Sequence, residues 1–266
     1  MEEVLALADG SGFGILTPAV APQRGIGVVL FNAGLIHRPG PLRLHVDLAR
    51  ALSQAGFDVF RLDLPGVGDA GMGGDATTMA LRALDAVSAR TGASGFVVGG
   101  ICSAADLGWR MAGIDARVQG LLLIDPMAVR GAWYRVGRLQ RLLRMPLREL
   151  AGKLRRRAGR RSADAASAPV AEDYRDWPSP QEFRGRLAGA LERGVHVLGF
   201  YTGGVADYLL HPRQVDATFG GLRGHRRLRL EFHPELDHIL FAASHRRRVV
   251  ETIVDWAAGA APAHVG

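Results

Sequence analysis

At 266 residues, 48% hydrophobic and 22% charged, the chain has the size and composition of one large globular domain, or of one domain carrying an insertion. No apolar run reaches the roughly 18 residues that a membrane span requires, and the acidic start "MEEVLALADG" lacks the basic n-region of a signal peptide. A single cysteine excludes an internal disulfide, so a reducing cytoplasm is the expected compartment. The formal charge of +7 is unevenly spread: residues 130–161 hold twelve Arg/Lys against Glu149 alone, a window of +11 that leaves the remainder at −4. Nucleic-acid binders more often carry basic residues across the fold, so no nucleic-acid partner is expected.

In chain order, "VLALADGSGFGILTPA" alternates around Asp9-Gly10 and reads as an opening hairpin. Apolar runs then alternate with helical segments. "GVVLFN" (27–32), "FDVFRLDLPG" (57–66), "GFVVGG" (95–100) and "VQGLLLID" (118–125) are predicted strands. Between them, 41–56, 76–92 and 103–113 are predicted helices. After an interruption, 194–204 and 226–233 are predicted strands and 244–259 a closing helix. This alternation predicts an α/β fold, a mostly parallel sheet with helices on both faces, whose strands are continuous apolar runs because both faces are covered.

The interruption opens with the basic "WYRVGRLQRLLRMPLRELAGKLRRR", passes through the low-complexity "AGRRSADAASAPVA" and ends at "YRDWPSP". Leu139, Leu142, Leu143 and Leu147 form one apolar face that can pack. The chain is therefore divided into a core in two parts, 1–127 and 181–259, a helical basic lid at 128–180 and a frayed tail at 260–266.

The chemistry is concentrated at "GGICSAAD" (99–106), between a predicted strand and a predicted helix. A nucleophile on a strained strand-to-helix turn needs small residues two positions away on either side. Centred on Cys102 the flanks are Gly100 and Ala104; centred on Ser103 one flank is Ile101. Cys102 is thus the candidate nucleophile, and Ser103 supplies the following backbone N–H, one half of an oxyanion hole. The helix N-terminus there favours a thiolate. The bland alternative is a buried cysteine packed as a small hydrophobe. The second N–H is expected from Ala33 or Gly34, in the "FNAGLIHRPGP" loop after the first parallel strand.

Among nine histidines, His238 in "HPELDHIL" lies between the last strand and the last helix, which makes it the candidate base; His233 is the rival but sits at a strand end. The acid is open between Asp125, ending "GLLLID", and Asp207 in "TGGVAD". Asp207 follows the next core strand, and spacing slightly favours it; it can equally cap a helix over "YLLHPRQV". Asp63 in "RLDLPG" reads as structural.

With these residues in hand, the chain resembles the α/β-hydrolase fold over nearly its whole length outside the lid. "GICSAA" stands at the nucleophile elbow, "FNAG" at the oxyanion loop, "RLDLPGVGD" at the strand-loop after the first helix and "DHIL" at the histidine loop. Two groups are more similar still. One comprises cysteine-type hydrolases of exosortase and exopolysaccharide loci, with similar "FNAG…HR.GP.R" and "G.CS.AD" stretches. The other comprises Dieckmann cyclases that release tetramate and pyridone products. The latter resemblance implies that Asp125, not Asp207, is the acid.

It further implies a thioesterase or cyclase with a Cys-His-Asp triad, no cofactor and no metal. Its substrate would be an acyl thioester on a carrier protein, off-loaded by Dieckmann-type cyclisation or hydrolysis. An acidic acyl carrier protein could dock at residues 130–161, where opposite charge steers association. The basic amphipathic lid could equally meet a membrane surface. The other expectations are an esterase or acyltransferase of exopolysaccharide metabolism, or a non-catalytic binding module on the same fold.

Overall fold

The computed structural model describes residues 1–146, 178–203, 205 and 208–260. Eight strands form one sheet: β1 (Glu3–Ala6), β2 (Phe13–Thr17), β3 (Ile26–Phe31), β4 (Asp58–Leu62), β5 (Gly95–Ile101), β6 (Val118–Ile124), β7 (His196–Thr202) and β8 (Leu228–His233). Their order is β1-β2-β4-β3-β5-β6-β7-β8. β1 and β2 form the antiparallel hairpin read from the sequence, and β2 joins β4 antiparallel. β3 to β8 are mutually parallel.

Burial on both faces explains the apolar runs. Every residue of β3 and β5 is buried. Successive side chains point to opposite faces, so Val29 and Phe31 enter one core while Val28 and Leu30 enter the other. The first core is closed by α2 (Ala76–Thr91), α3 (Ser103–Ile114) and α5 (Pro180–Glu192). The second is closed by α1 (Leu44–Gln54) and α7 (Ala243–Ala260). α2 starts where the Asp75 carboxylate accepts the Thr78 N–H at 2.8 Å, and stops at Gly92 with φ 75°.

Several sequence readings shift. The strand over 57–66 ends at Leu62, where the chain turns outward at Asp63. The closing helix runs on to Ala260, one residue into the segment read as tail; 261–266 lie outside the described residues. No helix starts at Tyr208. α6 is Arg213–Phe219, with Pro212 at its N-cap. The helix α5 went unread although "SPQE" carries its start: Ser179 and Glu182 form a capping box, and Pro180 follows.

Of the basic insertion, α4 (Ala132–Leu143) is described. Residues 147–177, with Leu147, Arg148, Lys153, Arg155, Arg156, Arg157, Arg160 and Arg161, lie outside the described residues. The leucine face of α4 does not pack as expected: Leu139, Leu142 and Leu143 are exposed. The helix is instead seated through Gly137, where a Cβ would fall 2.6 Å from that of Leu210. Trp133 stacks on His211 with ring centroids 4.8 Å apart.

Candidate active site

The six parallel strands all deliver their carboxyl ends to one edge, and there the sequence-predicted residues meet. β5 ends at Ile101, α3 begins at Ser103, and Cys102 alone makes the turn. It adopts φ 59°, ψ −121°. For a non-glycine residue this left-handed backbone costs on the order of 1–3 kcal/mol. The turn is over-determined by its neighbours. The Cys102 N–H donates to the Ile124 carbonyl at 2.8 Å, and its own carbonyl accepts from Ala105 at 3.0 Å. The small flanks are a steric necessity: a Cβ on Gly100 would lie 2.8 Å from that of Ala104 and 3.0 Å from the Phe31 carbonyl oxygen.

Asp125 follows β6, the strand beside the elbow, and is fully buried. Its N–H donates to the Phe200 carbonyl at 2.7 Å, and its carbonyl accepts the Tyr208 hydroxyl at 2.9 Å. The carboxylate accepts the Thr202 N–H at 2.6 Å on Oδ1 and the Thr202 hydroxyl at 2.8 Å on Oδ2. Oδ2 also lies 2.6 Å from His238 Nδ1. The loop after β8 thus brings His238 across 113 residues of sequence onto Asp125. The His238 side chain also hydrogen-bonds that of Cys102. Cys102, His238 and Asp125 therefore form one continuous chain of contacts. Asp207, the rival acid, lies outside the described residues.

Burial alone would drive the His238 pKa down. The hydrogen bonds to Asp125 and Cys102, with their negative charge, outweigh it and raise the pKa to about 9. His238 is therefore an imidazolium at neutral pH. His233, the rival base, points elsewhere: it stacks on Phe200 at 4.7 Å and faces Glu231 and Glu235 at 3.5 Å each. His45 is fully buried, and burial together with Arg61 lowers its pKa to about 4, so it is neutral.

The loop after β3 lies over the elbow. Asn32 clamps it from two sides: its amide N–H donates to the Gly34 carbonyl at 2.9 Å and its side-chain oxygen accepts the Leu64 N–H at 2.8 Å. Ala33 and Gly34 line a cavity of about 230 Å³ together with Leu35, Ile36, Pro41, Ile101, Cys102, His238 and Ile239. One expectation changes here. The Gly34 N–H does not point free into the cavity but donates to Ser103 Oγ at 2.8 Å. Sequence reasoning missed Asn32, Thr202 and Tyr208. Their partners are 32, 77 and 83 residues away; Asn32 stands in "FNAG" but its clamping role shows only in the fold, and Thr202 and Tyr208 sit in no motif that marks them.

Among the described residues, no group of three or more His, Cys, Asp or Glu could hold a metal ion, and no helix is long and apolar enough to cross a membrane.

A mostly parallel sheet of this strand order, with a strained turn after β5, an acid after β6 and a histidine after β8, is the α/β-hydrolase fold. Solved structures agree. The chain is similar to the esterase domain of a Rhodothermus marinus protein, at 14% identity over 97% of this chain and 98% of that one, with a TM-score of 0.58. It is similar to an alpha-beta serine hydrolase homologue from Coxiella burnetii, at 12% identity over 96% of each chain and a TM-score of 0.56. It is also similar to AbyA5, at 18% identity over 97% of this chain and 67% of that one, with a TM-score of 0.54. At these identities the likeness is one of fold. No protein-family model matches the sequence, and no curated protein does.

Proposed function

We propose that this chain is a cysteine-nucleophile acyl-transfer enzyme acting on an acyl thioester. The observation that carries this reading is the unbroken contact chain Cys102–His238–Asp125, with a cysteine on the strained turn. An imidazolium beside the sulfur favours the thiolate, and Asp125, locked by Thr202 and the backbone, holds the imidazole in orientation.

The thiolate sulfur bonds to the acyl carbonyl carbon, and the carbonyl π pair moves onto oxygen. That oxyanion is held by the Ser103 N–H, at the positive end of α3, and by the Ala33 N–H of the loop after β3. Collapse restores the carbonyl and expels the leaving thiolate, which takes the proton from His238. Exchange of one thiol for another is near balance in energy, whereas acylating a thiol from a simple ester runs uphill. The choice of sulfur therefore favours a thioester. The cavity beside Cys102 is walled by Ala33, Leu35, Ile36, Pro41, Ile101 and Ile239, which suits an apolar acyl group next to the carbonyl.

The acyl-enzyme is then resolved by an internal carbon nucleophile, as in a Dieckmann cyclisation, or by water. The thioester's natural carrier, on this reading, is an acidic carrier protein that meets the arginine-rich segment, of which Arg138, Arg141 and Arg144 on α4 and its C-cap are exposed.

The test is intact-mass spectrometry after incubation with short acyl thioesters of N-acetylcysteamine. An acyl adduct on the wild type, absent in Cys102→Ala, is the expected result. Turnover of simple esters with no reaction of thioesters would replace this reading with an esterase. No adduct from either class would leave a binding module. Reversing Arg138, Arg141 and Arg144 to Glu should slow turnover of carrier-bound substrate and spare the N-acetylcysteamine thioester; equal turnover of both would remove the carrier protein.

A further inference from the structure

We propose that the Ser103 side chain, and not only its main chain, is an oxyanion donor. This rests on Cys102 being the nucleophile. From the sequence, Ser103 is a residue whose side chain has no task. In the structure its hydroxyl bridges the two segments that must cooperate. Ser103 is the first residue of α3, directly after Cys102, and its Oγ accepts the Gly34 N–H at 2.8 Å across 69 residues of sequence.

A serine hydroxyl has one proton to donate and two lone pairs to accept with. Gly34 occupies one lone pair. Among the described residues no acceptor takes the proton. That proton belongs to an oxygen held between the elbow and the loop after β3, the two segments whose N–H groups surround a developing oxyanion. Gly34 lines the cavity beside Cys102 and its N–H is already engaged, so the hydroxyl that holds it donates in its place.

The arrangement is then a short relay: Gly34 N–H donates to Ser103 Oγ, and Ser103 O–H donates to the oxyanion. Donation into the hydroxyl polarises it and strengthens its own donation. As the Cys102 sulfur bonds to the carbonyl carbon and the π pair passes to oxygen, the new negative charge lies at the end of this chain. When the tetrahedral species collapses, the pair returns to the carbonyl and the hydroxyl keeps its proton. Charge grows on the oxygen only in the transition state, so the donation acts on the rate and not on ground-state binding. Gly34 stands where the loop backbone takes φ 52°, a conformation that favours glycine.

The test separates oxyanion donation from the reactivity of the sulfur. Iodoacetamide alkylates a thiolate by displacing iodide, and no oxyanion forms. A short aliphatic aldehyde adds to the thiolate as a hemithioacetal, whose oxygen sits where the oxyanion would, and so protects Cys102 from alkylation. In Ser103→Ala, the alkylation rate without aldehyde should match the wild type, while the aldehyde concentration needed for protection rises roughly 100-fold, as expected for removal of one donor. Ser103→Thr, which keeps the hydroxyl, should restore protection.

For a thioester substrate the same loss should appear in kcat with KM unchanged. Protection unchanged in Ser103→Ala would overturn the proposal, as would a wild type that no aldehyde protects. Slower alkylation together with a raised KM would also overturn it, because Ser103 would then be a tie that holds the loop. A faster Ser103→Ala enzyme would make the hydroxyl a plug on Gly34. A wild type protected by aldehyde but never acylated by thioesters would leave this inference standing and remove the thioester reading alone.

Discussion

Asp63 and Asp125 end parallel strands β4 and β6 at the same edge of the sheet, and both are almost wholly hidden from solvent, at 2% and 0% exposure. Their partners differ. Asp63 accepts the Arg38 N–H at 2.5 Å, pairs with the Arg38 guanidinium and accepts the Asp69 N–H at 3.3 Å. Burial would lower the Arg38 pKa, but its hydrogen bonds to Asp69 and Asp63 outweigh that and raise it, so this counter-charge is permanent. Asp125 accepts from the Thr202 N–H and hydroxyl and lies 2.6 Å from His238, an imidazole whose proton is lost as pH rises through about 9.

The two sites teach that burial at a strand end does not by itself tell two carboxylates apart. The kind of partner does. Asp63 ties the 38-loop to the 69-loop and has no proton to manage, whereas Asp125 can steady a charge that appears and disappears.

This contrast can be broken experimentally. The largest effect is expected at Asp125. Asp125→Asn should lower turnover by about 10⁴-fold, since the amide no longer stabilises the imidazolium or selects its tautomer. Asp63→Asn should leave the turnover of the folded protein nearly unchanged and act on stability. Breaking a buried ion pair from one side costs roughly 3–5 kcal/mol, so denaturant titration should show a large loss of stability, with the folded fraction still turning over. Similar turnover losses in both variants would erase the distinction drawn between them.

Next in size is Thr202→Val, which deletes the hydroxyl that Asp125 Oδ2 accepts. A hydrogen bond to a charged group is worth about 1.5–3 kcal/mol. The expected outcome is a drop of roughly 10- to 100-fold in kcat with KM unchanged.

The smallest effect is a pH dependence of stability. Folding raises the His238 pKa from 6.5 to about 9. The folded state therefore gains from binding that proton, fully below about pH 6.5, and loses the gain as pH rises through about 9. Melting temperature against pH should fall more steeply over that interval for the wild type than for His238→Gln. Parallel curves would mean that the charge is not held in the folded state.

How far the sequence could be read differs along the chain. The alternation of apolar runs and helices carries the sheet because period and burial are local properties, and the elbow was legible because its steric rule spans only five residues. His238 could be chosen by its place between the last strand and the last helix. Spacing favoured Asp207 as the acid, and only the resemblance turned the choice to Asp125. The contact between Asp125 and His238 joins residues 113 apart, and no local pattern encodes it. α5 was legible in "SPQE" and simply went unread.

By itself, then, the sequence determined a parallel α/β sheet and a cysteine at its strained turn, because periodicity and small flanking residues act over a few positions. Only the tertiary structure decided which carboxylate faces the histidine, that Thr202 and Tyr208 hold it there, and that Ser103 turns its hydroxyl to Gly34. Those choices depend on where distant strand ends and loops converge, and a hydrogen bond of under 3 Å forms or fails on that convergence alone.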